Sequence, residues 1–201
     1  MAPWNGSCGT ILRSGHADVW CLRGVRERYR EGLSWLRRIE PHLSQLATGT
    51  QADVHLAAGF LLWAIGVSDE AMERFDQSIA LYQEQDAQGR VALALLGLGS
   101  LHRDRGEYER AEAEYFQALK ILQSKGHMAW NAFGYSFLGA MERTRSDYDK
   151  AVVYLEKGLV IVRQFGFTEA LSPLVDNLGD IARDRGDYTQ ALAYYQQTMS
   201  L

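Results

Sequence analysis

The sequence predicts an all-α fold, a solenoid of antiparallel helix pairs, on three observations. First, one pattern recurs every 40 residues: Gly59, Gly99, Gly139 and Gly179 form one column, and Ala71, Ala111, Ala151 and Ala191 form another. Beside them run Gly66, Gly106, Ser146 and Gly186, then Phe75, Tyr115, Leu155 and Tyr195, then Ile79, Leu119, Leu159 and Met199. Second, the apolar residues inside each unit follow a helical stripe, as at Ala111, Tyr115, Ala118, Leu119 and Leu122. Third, strand-like alternation is nowhere sustained, and the chain holds only three prolines. A fixed period of about 20–50 residues marks a solenoid, in which each unit buries its apolar face only by stacking on its neighbours.

The elements follow in order. Residues 1–18 form an irregular segment that belongs to no repeat, and 19–48 read as a degenerate first repeat with Gly32, Leu36 and Ile39 in second-helix columns. Four units follow, at about 49–87, 88–127, 128–167 and 168–201. In the second unit, Val91, Leu95, Leu98 and Leu101 trace one helix, and Gly106 interrupts it. Glu107 places negative charge at the start of the next helix, where backbone N–H groups lack partners. Gly126 and Gly166 stop the second helices of units two and three. The small columns let paired helices approach closely, and the large Phe75, Tyr115, Leu155 and Tyr195 fill the space beyond.

Composition narrows the function. Apolar residues make up 47% of the chain and charged ones 23%, ordinary for a packed soluble protein. A net charge of −4 argues against nucleic acid as the partner. No apolar run approaches the roughly 18 residues of a membrane span, and the first residues lack the profile of a secretion signal. Cys8 and Cys21 read as reduced thiols, which places the protein in the cytoplasm.

A string of residues resembles the tetratricopeptide repeat. It runs Leu98-Gly99, Gly106, Tyr108, Ala111, Tyr115 and Ala118, and again Leu178-Gly179, Gly186, Tyr188, Ala191 and Tyr195, with Thr198 in the last place. The third unit departs at Ser146 and Gly158, and the first at Ala58, Ser68 and Ser78. The family unit is about 34 residues, so the extra length here adds nearly a turn to each helix. Such longer units are similar to those of LuxR/MalT-type regulators and signalling ATPases. The stretch from Leu22-Arg23-Gly24 to Trp35-Leu36 looks like the segment that opens their repeat region. The resemblance covers residues 20–201 and implies a right-handed superhelix with a partner-binding groove lined by the first helices.

No catalytic motif accompanies it. The glycines of GSCGTILRSG lack the lysine of a nucleotide-binding loop, and zinc-protease and nucleophile-elbow patterns are missing. Cys8, His16 and Cys21 match no metal spacing, and His55, His102 and His127 lack a partner pattern. The acidic residues read as scattered over solvated faces. The chain is therefore expected to be a non-enzymatic scaffold with no cofactor and no metal.

Transferred residue by residue, the groove implied by the resemblance holds Arg103, Arg143 and Arg183 in one column, with Trp63 in the same place in the first unit. Phe60 and Asp180 lie one turn earlier, and before them Phe137 and Asn177, with Asp176 alongside. An arginine row with an asparagine amide and aromatic rings suits an extended protein or peptide segment carrying acidic groups. The competing expectation pairs each arginine with a neighbouring aspartate on a wet surface, where the pair is worth little. The lysines of the family's carboxylate clamp are missing from these places. A second functional reading is an effector sensor, with Trp63, Phe60 and Phe133 walling a small-molecule pocket; salt weakens peptide binding at the arginines and leaves such a pocket unaffected. The last unit closes without a capping helix, which reads either as a piece of a longer regulator or as a homodimer contact through Ala193, Tyr194, Met199 and Leu201.

Packing at the small columns has a direct test. Gly139→Leu or Ala151→Phe is expected to destabilise the array by roughly 1–3 kcal/mol or more through overpacking, read as a lowered thermal midpoint; a wild-type melting curve refutes the assignment.

Overall fold

The computed structural model describes residues 17–166 and 170–199, with side chains from residue 28 onward. The Cys8, His16 and Cys21 set and Leu201 lie outside the described side chains. Helix α1 (Ala17–Ile39) passes through a 3₁₀ turn (Glu40–Gln45) into four helix pairs. These are α2 (Thr48–Ile65) with α3 (Ser68–Glu84), α4 (Gln88–Asp104) with α5 (Tyr108–Ser124), α6 (Met128–Thr144) with α7 (Tyr148–Phe165), and α8 (Leu171–Asp184) with α9 (Tyr188–Met199). No strand occurs among the described residues. The pairs stack in chain order, α3 on α4, α5 on α6 and α7 on α8, as a helical solenoid. Residues 19–48 hold one helix and a turn, and α1 packs on α2 with Leu33 buried and Leu36 partly so.

A left-handed residue punctuates the chain at 66, 86, 106, 126, 146, 166 and 186. Five of these are glycines; Asp86 and Ser146, at φ 53° and 64°, are the exceptions. After each first helix the chain closes a Schellman turn, with Val67 N donating to Leu62 O, Glu107 N to His102 O, Asp147 N to Glu142 O and Asp187 N to Ala182 O, all at 2.9 Å. Glu107 itself does not cap α5, whereas Asp147 accepts from Lys150 N at 3.1 Å and Asp187 from Gln190 N at 2.9 Å. The Glu107 carboxylate is drawn instead to His102 and Arg110.

Within each pair, the large side chain of the second helix lies directly on the glycine of the first, rather than beyond it. A Cβ on Gly59 would stand 2.7 Å from the Phe75 ring, on Gly99 2.5 Å from Tyr115, on Gly139 2.6 Å from Leu155 and on Gly179 2.7 Å from Tyr195. Phe75 also meets the next pair, since a Cβ on Gly97 would stand 2.4 Å from its ring. Phe75, Tyr115 and Leu155 are wholly buried, as are Ala71, Ala111 and Ala151. Full burial of one such ring is worth about 1.5–3 kcal/mol. Helix α4 is sheathed on every side, with Val91 to His102 all buried.

A second ladder joins successive pairs at their edge. Arg105 pairs with Asp69, and Arg185 with Asp149 while also lying 5.6 Å from the Tyr148 ring centre. Arg145 occupies the same place over Tyr108, at 5.6 Å. These contacts are cation–π and surface ionic, about 0.5–1 kcal/mol each at exposed sites.

Replacing Ser146 by glycine is expected to stabilise the fold by about 0.5–1 kcal/mol, because it removes the left-handed strain of a β-carbon; an unchanged or lowered denaturation midpoint refutes this.

Candidate functional site

The first helices present one stripe from each pair. On α2 it carries Phe60 and Trp63, on α4 Arg103, on α6 Phe137 and Arg143, and on α8 Asp176, Asn177, Asp180 and Arg183. Most of these side chains are partly open to solvent, while the opposite flanks are sealed in the core. Phe60 packs edge-on against Phe75, centroids 5.0 Å apart, and against Trp63 at 6.5 Å. Phe137 stacks on Tyr115 at 5.8 Å with the planes 19° apart. Phe133, grouped with Trp63 and Phe60 from sequence, instead contacts Trp130 at 5.3 Å.

The arginines of the stripe are neutralised by aspartates. Trp63 Nε1 donates to Asp104 Oδ2 at 2.8 Å, and Arg103 Nη2 reaches Asp104 Oδ1 at 2.7 Å. Arg143 lies 3.3 Å from Asp180 and 3.0 Å from Asp184, and Arg183 lies 2.9 Å and 3.0 Å from the same two carboxylates. Burial opposes ionisation of Asp184, but bonds from Arg183 and Arg143 outweigh it and hold its carboxyl below the ordinary range. Tyr195 Oη donates to Asp180 Oδ1 at 2.8 Å and ties this network to α9. Asn177 Nδ2 donates to the Pro173 carbonyl of its own helix at 2.8 Å. The structure thus brings Arg143, Arg183, Asp180 and Asp184 into one cluster, and leaves Arg103 with Asp104 and Trp63 as a second.

Two acidic groups correct the expectation of scattered, solvated carboxylates. Glu142 is 1% exposed, with Lys150 on one oxygen and Arg145 3.7 Å from the other. Lys150 also reaches Glu112 at 3.2 Å, so α5, α6 and α7 meet at one ion cluster around the buried Glu142. Glu114 lies beside the buried His102, whose Nδ1 faces Glu107 at 2.8 Å and whose Nε2 faces Glu114 at 3.3 Å. His102 therefore has two carboxylate partners where the sequence offered none. Burial, then repulsion from Asp76 and Glu107 against the pull of Arg110, pushes the Glu114 carboxyl up to about 7. These groups lie inside the pair rather than on the stripe.

Clefts open elsewhere on the surface. One of about 860 Å³ opens between α7, α8 and α9, floored by Leu159, Val175 and Leu178. Another of about 510 Å³ lies at the start of α4 and α6, lined by Arg90, Leu93, Lys125, His127 and Trp130. The stripe residues chosen from sequence line neither. Among the described residues, no group of three or more potential ligands is arranged to hold a metal. No helix among them is long and apolar enough to cross a membrane.

Glu114 makes stability depend on pH. Its raised carboxyl favours the folded state below the ordinary carboxyl range, and this contribution is lost as pH rises through about 7. Glu114→Gln is expected to flatten the fall in stability between about pH 5 and about pH 8, leaving the variant roughly 1–3 kcal/mol more stable than wild type at the upper end. Urea midpoints measured across that range decide it, and parallel curves for the two proteins would rule it out.

Comparison with known proteins places the fold. Tetratricopeptide repeat profiles match residues 51–127 and 174–201, together just over half of the chain. A search of curated proteins finds no match. Among solved structures, BtubC from P. vanneervenii is similar with a TM-score of 0.65 and 22% identity, over 89% of this chain and 74% of that one. A Rap protein complexed with competence and sporulation factor reaches a TM-score of 0.78 at 18% identity, over 87% of this chain. The chain spans about half of that protein's length, 49%. A putative kinesin light chain of Podosopora anserina with nearly identical TPR-like repeats gives 0.58 at 13% identity, over 90% of each chain. At these identities the likeness is one of fold. On its stacked helix pairs and its matched repeats, the chain belongs to the tetratricopeptide-repeat proteins.

Proposed function

We propose that this chain is a non-catalytic scaffold that binds a protein or peptide segment along the stripe of its first helices. The observation that carries this reading is the set of side chains left partly open there, Phe60, Trp63, Arg103, Phe137, Arg143, Asp176, Asn177 and Asp180, on a fold whose α4 is otherwise sealed from Val91 to His102. Arginines already paired with aspartates can exchange partners with a ligand's carboxylates or amides without exposing a bare charge. The affinity for an acidic segment is therefore smaller than an unpaired row would give, and selectivity comes from geometry. The Rap protein of similar fold is complexed with competence and sporulation factor, which supports a ligand-binding role for such a stack. The 40-residue spacing and the likeness to LuxR/MalT-type regulators support a place as the interaction arm of a cytoplasmic signalling regulator. Exposed Leu192 and Met199 on α9 support self-association through the last pair, which light scattering over a concentration series reads directly.

Selection from a displayed library of random peptides tests the scaffold reading. Wild-type protein is expected to enrich peptides that lose at least about tenfold in affinity for the Arg103→Ala/Arg143→Ala/Arg183→Ala variant, shown to be folded by circular dichroism. Failure to enrich over a bare support, or equal binding by the variant, overturns it.

A further inference from the structure

The arginine row is internally neutralised, whereas a second group of basic side chains on this surface is not. We infer that the cleft at the start of α4 and α6 is a binding site for an anionic residue of a peptide, with Arg90, Lys125 and His127 around the anion and Trp130 against the neighbouring side chain. This deepens the scaffold reading and rests on it.

The basic side chains there differ from those of the row. Among the described residues, Lys125 and His127 have no carboxylate partner, and Arg90 meets only Asp53 at 3.7 Å, with both side chains more than half exposed. The single acid in the lining, Asp86, accepts from Gln88 Nε2 at 3.2 Å. The three basic side chains come from different pieces of backbone, α4 and the turn before α6, so they surround a volume rather than form a row. The cleft of about 510 Å³ admits a side chain and part of its backbone.

Packing holds this arrangement in place. The His127 ring lies over Gly89, where a Cβ would stand 2.8 Å from Nε2. Trp130 is 45% exposed, with Phe133 supporting it at 5.3 Å, and Leu93 forms the apolar floor. A flat exposed ring beside these basic side chains suits an acidic residue next to an apolar one. The starts of α4 and α6 have no side-chain cap, so their positive ends add to the attraction for an anion. On α6 the cleft residue Trp130 and the stripe residues Phe137 and Arg143 share one helix, about 20 Å from first to last. A segment of some six extended residues spans that distance.

Two peptide sources supply the same chemistry, a glutamate or aspartate and a phosphorylated serine. Acetyl-Phe-Glu-amide, acetyl-Phe-phosphoserine-amide and the neutral acetyl-Phe-Gln-amide distinguish them, titrated into the isotope-labelled full chain and followed by NMR. The Trp130 indole and the amides of residues 127–131 are expected to shift with one or both acidic dipeptides, and at least about tenfold more weakly with the glutamine one. Whichever acid binds more tightly names the source. Lys125→Ala and His127→Ala, both at exposed positions, are expected to weaken binding several-fold, and Lys157→Ala, a surface lysine on α7, to leave it unchanged. Equal shifts with the glutamine dipeptide, shifts confined to other residues, or full binding by Lys125→Ala and His127→Ala overturn the site. Should these dipeptides fail while library peptides still depend on the three arginines, this site falls and the scaffold reading stands.

Discussion

The contact on which this structure depends is a bare glycine backbone pressed against the ring or branch of the opposing helix. Phe75 lies against Gly59 of its own pair and Gly97 of the next, so one side chain sets both the gap within a pair and the gap between pairs. Tyr115 repeats the first of these contacts on Gly99, but its second neighbour is Phe137, which stacks on it. A helix interior accepts glycine at a cost of about 1 kcal/mol relative to alanine. Burying an entire aromatic ring against the vacated space more than offsets that cost. Everything on the first-helix stripe inherits its spacing from these contacts.

Much of this was legible in the sequence, because the glycine and alanine columns and their large partners recur in fixed register. The shared role of Phe75 was not, since the position of Gly97 is taken by Phe137 and Asn177 in later units and forms no column. The arginine row was legible as a row, and both of its readings were open: recognition or local pairing. The structure pairs each arginine with aspartate, Arg103 and Arg183 within their own helices and Arg143 across to α8, a matter of rotamer choice that spacing alone cannot decide. His102 and Glu114 escaped notice because they meet across a helix pair twelve positions apart, where no local motif signals a contact. The edge column of Arg105, Arg145 and Arg185 was visible as a 40-residue recurrence, yet its partners change from aspartate to tyrosine, which hides the ladder from a search for identical pairs.

Charge is used in two distinct ways. Inside the pairs, Glu142 is buried and Glu114 partly so, the first held by Lys150 and the second set beside His102. Along the stripe, arginines and aspartates stay at the surface and satisfy each other. The first arrangement makes the fold sensitive to titration, and the second makes the stripe nearly neutral. The second cleft stands out against that neutral background, with Lys125 lacking a carboxylate partner and Arg90 meeting only the exposed Asp53.

The edge ladder also governs how the array deforms. Contacts within a pair are glycine against ring, short and stiff, and yield only by breaking the core. At the outer margin, successive pairs are joined by guanidinium groups lying over rings or reaching single carboxylates in water, and these slide with little change in energy. Behind this margin, Phe75 on Gly97, Leu119 on Gly134 and Leu174 on Gly158 hold successive pairs as closely as the helices within a pair are held, so the outer rim gives before the stacked core does.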